Sequence, residues 1–170
     1  MRAILNATPL IYLGKKRRMD LLRSVFEETI IPVEVEREIT RIEESPEAVQ
    51  LRKAIHEGWI KVRQPSEDRK KHIINLFSEI DEGEAAVIAV ALEDNEEPSV
   101  IIDDAEARGA AEYFGLDVHG TLYVILEAYR RSILKSKKEV VSIVNNMIKR
   151  GFYLSTEVYA RLLSFLEELG

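Results

Sequence analysis

The sequence predicts an α/β fold in which a parallel sheet is sandwiched between helices. Three observations carry that prediction. Short apolar runs rich in β-branched residues alternate with longer amphipathic stretches along the chain. The run Val100-Ile101-Ile102 leads directly into Asp103-Asp104, then into a helix with Ala107, Ala110, Ala111 and Phe114 on one stripe, closed by Gly115. Leu116 to Val118 reads as a further strand. The result is a strand–helix–strand unit whose acids stand at the carboxyl end of its first strand, where open α/β sheets place their sites.

Taken in order, Arg2-Ala-Ile-Leu5 is a short strand that ends at Asn6, and Thr8-Pro9 opens a helix with Thr8 as N-cap. A basic run, Lys15 to Arg18, precedes the helical stripe Leu21, Leu22, Val25 and Phe26. Thr29 to Pro32 is a second strand stopped by proline. Val35, Ile39 and Ile42 form one face of the next helix. Ser45-Pro46 begins another, ended by Gly58, and Trp59 to Val62 is a short strand. A helix follows over about Glu67 to Phe77. Asp81-Glu-Gly-Glu84 opens a strong helix with Ala85, Ile88, Ala89 and Leu92 inside. Beyond Gly120, the stripes Leu122–Ile133 and Val140–Ile148 mark two helices. Ser155 caps a last one lined by Val158, Leu162, Phe165, Leu166 and Leu169. No repeat, low-complexity segment or long linker interrupts the chain. It reads as one domain over 1–170, with a C-terminal helical extension at about 137–170.

Composition bounds the function. The 170 residues are 46% hydrophobic, enough for a sizeable core, and no apolar run approaches the ~20 residues of a membrane span. The absence of cysteine removes disulfides and thiolate metal sites. A net charge of −6 argues against coating nucleic acid by bulk charge, but leaves room for a local basic path beside an acidic centre. Met1-Arg2 leads straight into a strand, and a cytoplasmic location is the expectation.

Several polar residues fall at strand ends and helix starts: Asn6 and Thr8, Glu38, Glu84, and Asp103 with Asp104. If the strands before Asn6 and Asp103 are central neighbours, their carboxyl ends converge, and Glu84 in a first helical turn can reach the same cavity. Oxygen donors gathered this way suit a hard cation such as Mg²⁺ or Mn²⁺, the metals of phosphodiester hydrolysis. Each member also has a structural role open to it. Asp103-x-x-Glu106 and Asp81-x-x-Glu84 have capping-box spacing, Asn6 can tie down its own turn, and Glu38 can be a solvated helix residue. Thr121 after Gly120 is an N-cap or a phosphate contact. His119 reads as a structural residue. Arg130-Arg131 and Lys135 to Lys138 read as solvated surface or as a phosphate-backbone path. The last helix's stripe is core or a dimer seam.

The order Leu5-Asn6-Ala7-Thr8-Pro9-Leu10-Ile11, Ile30-Ile31-Pro32 with Val35 and Glu38, Glu82-Gly83-Glu84-Ala85, Ile102-Asp103-Asp104, Gly115-Leu116 and Gly120-Thr121-Leu122 resembles the PIN-domain superfamily, closest to a prokaryotic branch related to VapC-like toxin ribonucleases. Lys149 to Ser155 and onward to Leu166 is similar to the same branch. The resemblance implies a three-layer α/β/α sandwich with a parallel sheet of about five strands, often dimeric. It implies a Mg²⁺- or Mn²⁺-dependent endoribonuclease, possible toxin of a type II toxin–antitoxin pair, with RNA and an antitoxin protein as partners. Carried over, Glu84, Asp103, Asp104 and Glu38 are the catalytic acids. Asp103, Asp104, Glu84 and Asn6 are the metal ligands, with only one of the adjacent pair entering the site. Thr8, Thr121, Lys15 and Arg18 are the substrate contacts.

One departure matters. The family pattern has Asp where this chain has Asn6, and an amide keeps an acceptor oxygen but loses the charge. Two functions follow: a nuclease with weakened metal affinity, or a degenerate PIN-like module that binds RNA or a protein without cutting. A phosphotransfer receiver needs its acidic pair after the first strand, and a haloacid-dehalogenase-type phosphatase needs a nucleophilic Asp there. Asn6 satisfies neither.

Overall fold

The computed structural model describes residues 1–170. Five strands and ten helices follow one another as β1 (Arg2–Leu5), α1 (Ala7–Lys15), α2 (Asp20–Val25), β2 (Glu28–Pro32), α3 (Val33–Thr40), α4 (Pro46–His56), β3 (Ile60–Arg63), α5 (Glu67–Leu76), α6 (Glu82–Glu93), β4 (Ser99–Ile101), α7 (Ala105–Tyr113), β5 (Asp117–His119), α8 (Thr121–Arg130), α9 (Lys137–Lys149) and α10 (Thr156–Leu169). All strands are parallel, in the order β3-β2-β1-β4-β5. This is an α/β/α sandwich.

The chain winds outward from β1 to β2 and β3, then returns to lay β4 and β5 on the other side. The crevice at the carboxyl ends of β1 and β4 is therefore the point where the winding reverses, the position where such sheets bind ligands. β1 and β4 are direct neighbours, with Leu5 opposite Ile101, so Asn6 and Asp103 leave the sheet side by side. α6 returns antiparallel to the strands, which brings its amino terminus and Glu84 to the same end. The middle of α6 is buried all round from Ala85 to Ala91, as expected of a helix enclosed on every side. The core is one cluster that joins the sheet to α9 and α10 through Val140, Val144, Met147, Leu162 and Leu166.

Several local expectations shift. The first helix begins at Ala7, not Pro9. Asn6 still donates its backbone N–H to Ile101, so the chain passes from sheet to helix in one residue, and Thr8 sits inside the first turn. Asp104, not Asp103, caps α7, accepting from the Ala107 N–H at 3.0 Å. Gly120, not Thr121, is the N-cap of α8. β5 starts at Asp117 because the Leu116 N–H is spent closing the end of α7 on the Ala111 carbonyl, with Gly115 at φ +77° making the turn. β3 likewise starts one residue late, at Ile60, after Gly58. The Asp81–Glu84 capping box forms in full, with bonds of 2.8 and 2.9 Å.

Candidate metal-binding site

At the reversal point lies a small cavity of about 50 Å³, lined by Asn6, Ala7, Thr8, Val35, Glu38, Asp81, Gly83 and Glu84. A single water needs ~10–15 Å³ of such space, so this one holds an ion or a few waters. Asn6 is 5% exposed and its Oδ1 has no hydrogen-bond partner. It does not cap α1. A buried amide oxygen left bare costs roughly 1–3 kcal/mol, and natural structures seldom tolerate that without a ligand, water or function to meet it.

The carboxylates around it repel one another. Glu84 accepts the Asp81 N–H through Oε2. Burial pushes its carboxyl up to about 7 against that bond, and the charges of Asp81, Asp104 and Glu38 push the same way. Burial also raises Glu38, helped by Asp81 and opposed by Arg41. Glu38 is exposed on α3 yet faces the α6 terminus: a methyl group on Gly83 would stand 3.7 Å from its Oε2 and 3.4 Å from Asp81 Oδ1.

The adjacent acids divide. Asp104 lies close enough to Glu84 to raise it. Asp103 turns to α8, accepting the Thr121 N–H at 2.8 Å on Oδ1 and the Thr121 hydroxyl at 2.6 Å on Oδ2. Burial raises Asp103 above its ordinary range despite both bonds and the nearby Arg108. Thr121 is wholly buried with its N–H and hydroxyl committed. Thr8 lines the acidic cavity. Lys15 and Arg18 do not approach it. They lie at and beyond the far end of α1, roughly 13 Å along the axis from Asn6. Lys15 sits over the Tyr12 ring, and Arg18 is held by Asp20 and Glu139. Arg130 and Arg131 both grip Glu127.

Lys70 was not visible as a site neighbour in the sequence. It is 4% exposed and binds Glu34, Glu67 and Glu82 at 2.8–3.0 Å, tying α5 to the two helices that carry Glu38 and Glu84. Its signal was a lysine three residues before Ile73 on a core-facing stripe.

The donors fit a hard cation in kind: all are oxygens, one is orphaned, and neither Glu38 nor Glu84 is in contact with a cation, Arg41 acting on Glu38 only from a distance. They do not form a closed acidic cage, since no three acidic or histidine side chains converge closely enough to hold a metal ion.

Fold and cavity together define an α/β/α protein with an acidic pocket at the winding reversal. A family profile described as DUF3368: PIN domain matches residues 2–168, and the chain belongs to that family. PIN domains are generally nucleases that use divalent metal ions and commonly bind nucleic acid. Among solved structures, the chain is similar to a PilT N-terminus domain protein from the hyperthermophilic archaeon Sulfolobus solfataricus P2. The two share 14% identity over 73% of this chain and 90% of that one, with a TM-score of 0.46. No curated protein matches the chain. No helix is long and apolar enough to cross a membrane.

Proposed function

We propose that this protein is a Mg²⁺- or Mn²⁺-dependent endoribonuclease whose cation is held by Asn6 Oδ1, Glu38 and Glu84. The observation that carries the reading is the bare, buried Asn6 oxygen beside carboxylates that repel one another in a cavity sized for an ion. A bound divalent cation supplies an acidified water and offsets charge on the phosphate. Asn6 contributes a fixed neutral acceptor. The Asp81 N–H orients Glu84 through Oε2 and leaves Oε1 to face metal or a proton. Burial and the charges of Asp81, Asp104 and Glu38 disfavour an ionised Glu84, and a bound cation would relieve that repulsion, so Glu84 would hold the cation or orient a water beside it. Asp104 adds negative charge at the rim, and Thr8 borders the path of the substrate backbone.

A second reading is favoured by one observation. Asn6 removes a charge where the family pattern has Asp, and the remaining acids form no ready cluster. In that case the protein is a PIN-like module that binds nucleic acid or protein without cutting. A toxin role, an antitoxin partner and a homodimer through α10 rest on the family resemblance, while a cytoplasmic location and a single domain over 1–170 rest on the pattern of the sequence. A small antitoxin-like frame beside the gene would support the toxin role.

The test is Mn²⁺-dependent cleavage of a mixed RNA pool by wild type, Asn6→Asp and Glu84→Ala. The nuclease reading expects wild type to cut, Asn6→Asp to cut at lower Mn²⁺, and Glu84→Ala to lose at least ~100-fold. Cutting by Asn6→Asp alone establishes the degenerate module.

A further inference from the structure

Beside Asp103, on the other side from the acidic pocket, lies a second and larger cavity of about 440 Å³ between α8 and the segment joining α9 to α10. Its floor is apolar, built by Leu122, Leu126, Phe152 and Leu154, and its rim carries Asp103, Arg108, His119 and Ser155. Volume and lining are those of a pocket for an organic ligand with flat apolar faces and polar edges.

Three features narrow the ligand. The Arg108 guanidinium is crowded against Gly120, where a Cβ would meet its Nη1 at 3.0 Å and Asp103 Oδ1 at 2.8 Å. It makes no side-chain hydrogen bond or close ion pair, although the Asp103 carboxylate feels its charge, so its donors are left for a ligand at the edge of this cavity. The His119 ring is stacked on Tyr123 at 4.0 Å and 19°, and its Nε2 is held 2.9 Å from Asp117, which fixes a preformed aromatic platform. Tyr153 borders the same cavity with 86% of its surface exposed, an aromatic ring with little of its own to pack on. Free guanidinium, fixed platform and exposed tyrosine are the parts that hold an unstacked base and its phosphate. An uncharged peptide would satisfy the apolar floor but would add no anion to Arg108 beyond Asp103.

We propose that this cavity is a nucleobase subsite, holding one splayed base of single-stranded RNA whose backbone runs past Arg108 into the acidic pocket. The proposal rests on the ribonuclease reading for the direction of that backbone. The adjacent acids link the two cavities, since Asp103 lines this one while Asp104 bears on Glu84 in the other. A base seated here belongs to the same strand as the phosphate in the acidic pocket, and the subsite biases where that strand is cut.

The test is fluorescence anisotropy with a labelled ten-nucleotide single-stranded RNA of mixed sequence, in EDTA so that binding is read without cleavage. Wild type is compared with Arg108→Gln and Tyr153→Ala. A set of the same oligomers with one abasic residue moved along the strand completes it. Each substitution is expected to weaken binding about 5- to 10-fold, in the range of losing one stacked base. One abasic position should weaken wild type equally and have no further effect on Tyr153→Ala. Tyr153 is exposed, so its removal leaves the fold intact, and circular dichroism checks both variants. Unchanged binding by both variants, or an abasic series without a sensitive position, overturns the subsite. The Mn²⁺ cleavage assay separates the two claims. Wild type that cuts while the variants bind normally loses only the subsite. Wild type that binds through Arg108 and Tyr153 but cuts nothing loses only the nuclease. Wild type that neither binds nor cuts loses both.

Discussion

The two ends of the sheet treat charge in opposite ways. Near the amino ends of β1 and β2, Arg2 bonds Asp94 at the end of α6 and Glu28, while Lys61 in the middle of β3 and the side chain of Arg63 from its last position complete the set. The Asp94 side chain is only 2% exposed. Burial pushes Asp94 and Glu28 up, but bonds to N–H groups and cations outweigh it and hold both carboxyls below their ordinary range. At the carboxyl ends, Glu84 and Glu38 have no such cation in contact, and both are raised. One end has its charges matched from within the chain. The other leaves an excess of negative charge and a bare oxygen, which is what a site for an external cation requires and a purely structural cluster does not. Lys70 stands between the two regimes, supplying a counter-charge to Glu34, Glu67 and Glu82 just short of the cavity.

The largest effect should come from removing that boundary. Lys70→Met leaves Glu34, whose side chain is 8% exposed, without its cation. The expected loss is about 3–5 kcal/mol in urea denaturation, as for other broken buried pairs. Asp94→Asn keeps the shape of the matched network and removes its charge, so about 2 kcal/mol should be lost. A loss as small as that of an exposed pair would mean the matched end is not a stabilising element.

The smallest effect has the opposite sign. The folded-state carboxyl of Glu84 is raised, so the folded chain binds a proton more tightly than the unfolded chain. Stability then falls as pH rises from about 4.5 to about 7. Glu84→Gln retains the acceptor for the Asp81 N–H and should gain about 1 kcal/mol near pH 8 and nothing near pH 4. The lowered carboxyls of Asp94 and Glu28 act the other way, and their contribution is lost as pH falls below about 4. Denaturation curves across that range separate the two ends. A Glu84→Gln variant with an unaltered pH profile would remove the contrast.

Sequence periodicity revealed the alternation of strands and helices, the acids after β4, and the caps at Ser45, Asp81 and Ser155, because each depends on neighbours within a few residues. The start of β5 moved by one residue because the turn at Gly115 consumed the Leu116 N–H that the pattern assigned to the sheet. That Asp103 and Asp104 part company is expected of adjacent residues, but which of them turns away was beyond reach, since it depends on Thr121, which meets Asp103 only after β5 has paired with β4. Lys15 and Arg18 looked suited to phosphate by charge alone, but the length of α1 carries them away from Asn6. Arg108 and Tyr153 gave no local signal. Their interest comes from sharing a cavity, and the sequence does not encode that as spacing.

The outward winding from β1 also orders events in time. A ribosome delivers Asn6 and Glu38 early, while β4 and Asp104 follow Asn6 by roughly a hundred residues, on the order of 5–20 s at bacterial-type synthesis rates. Until β4 docks, one flank of β1 is open and the Asn6 N–H lacks the Ile101 carbonyl that fixes the passage into α1. The residues that line the acidic pocket all precede β4, so its walls are synthesised first and the strand that anchors Asn6 comes last. A nascent or truncated chain ending before β4 carries the lining without the Ile101 anchor or the Asp104 charge, and the pocket reaches its final form only when the second half of the sheet closes on the first.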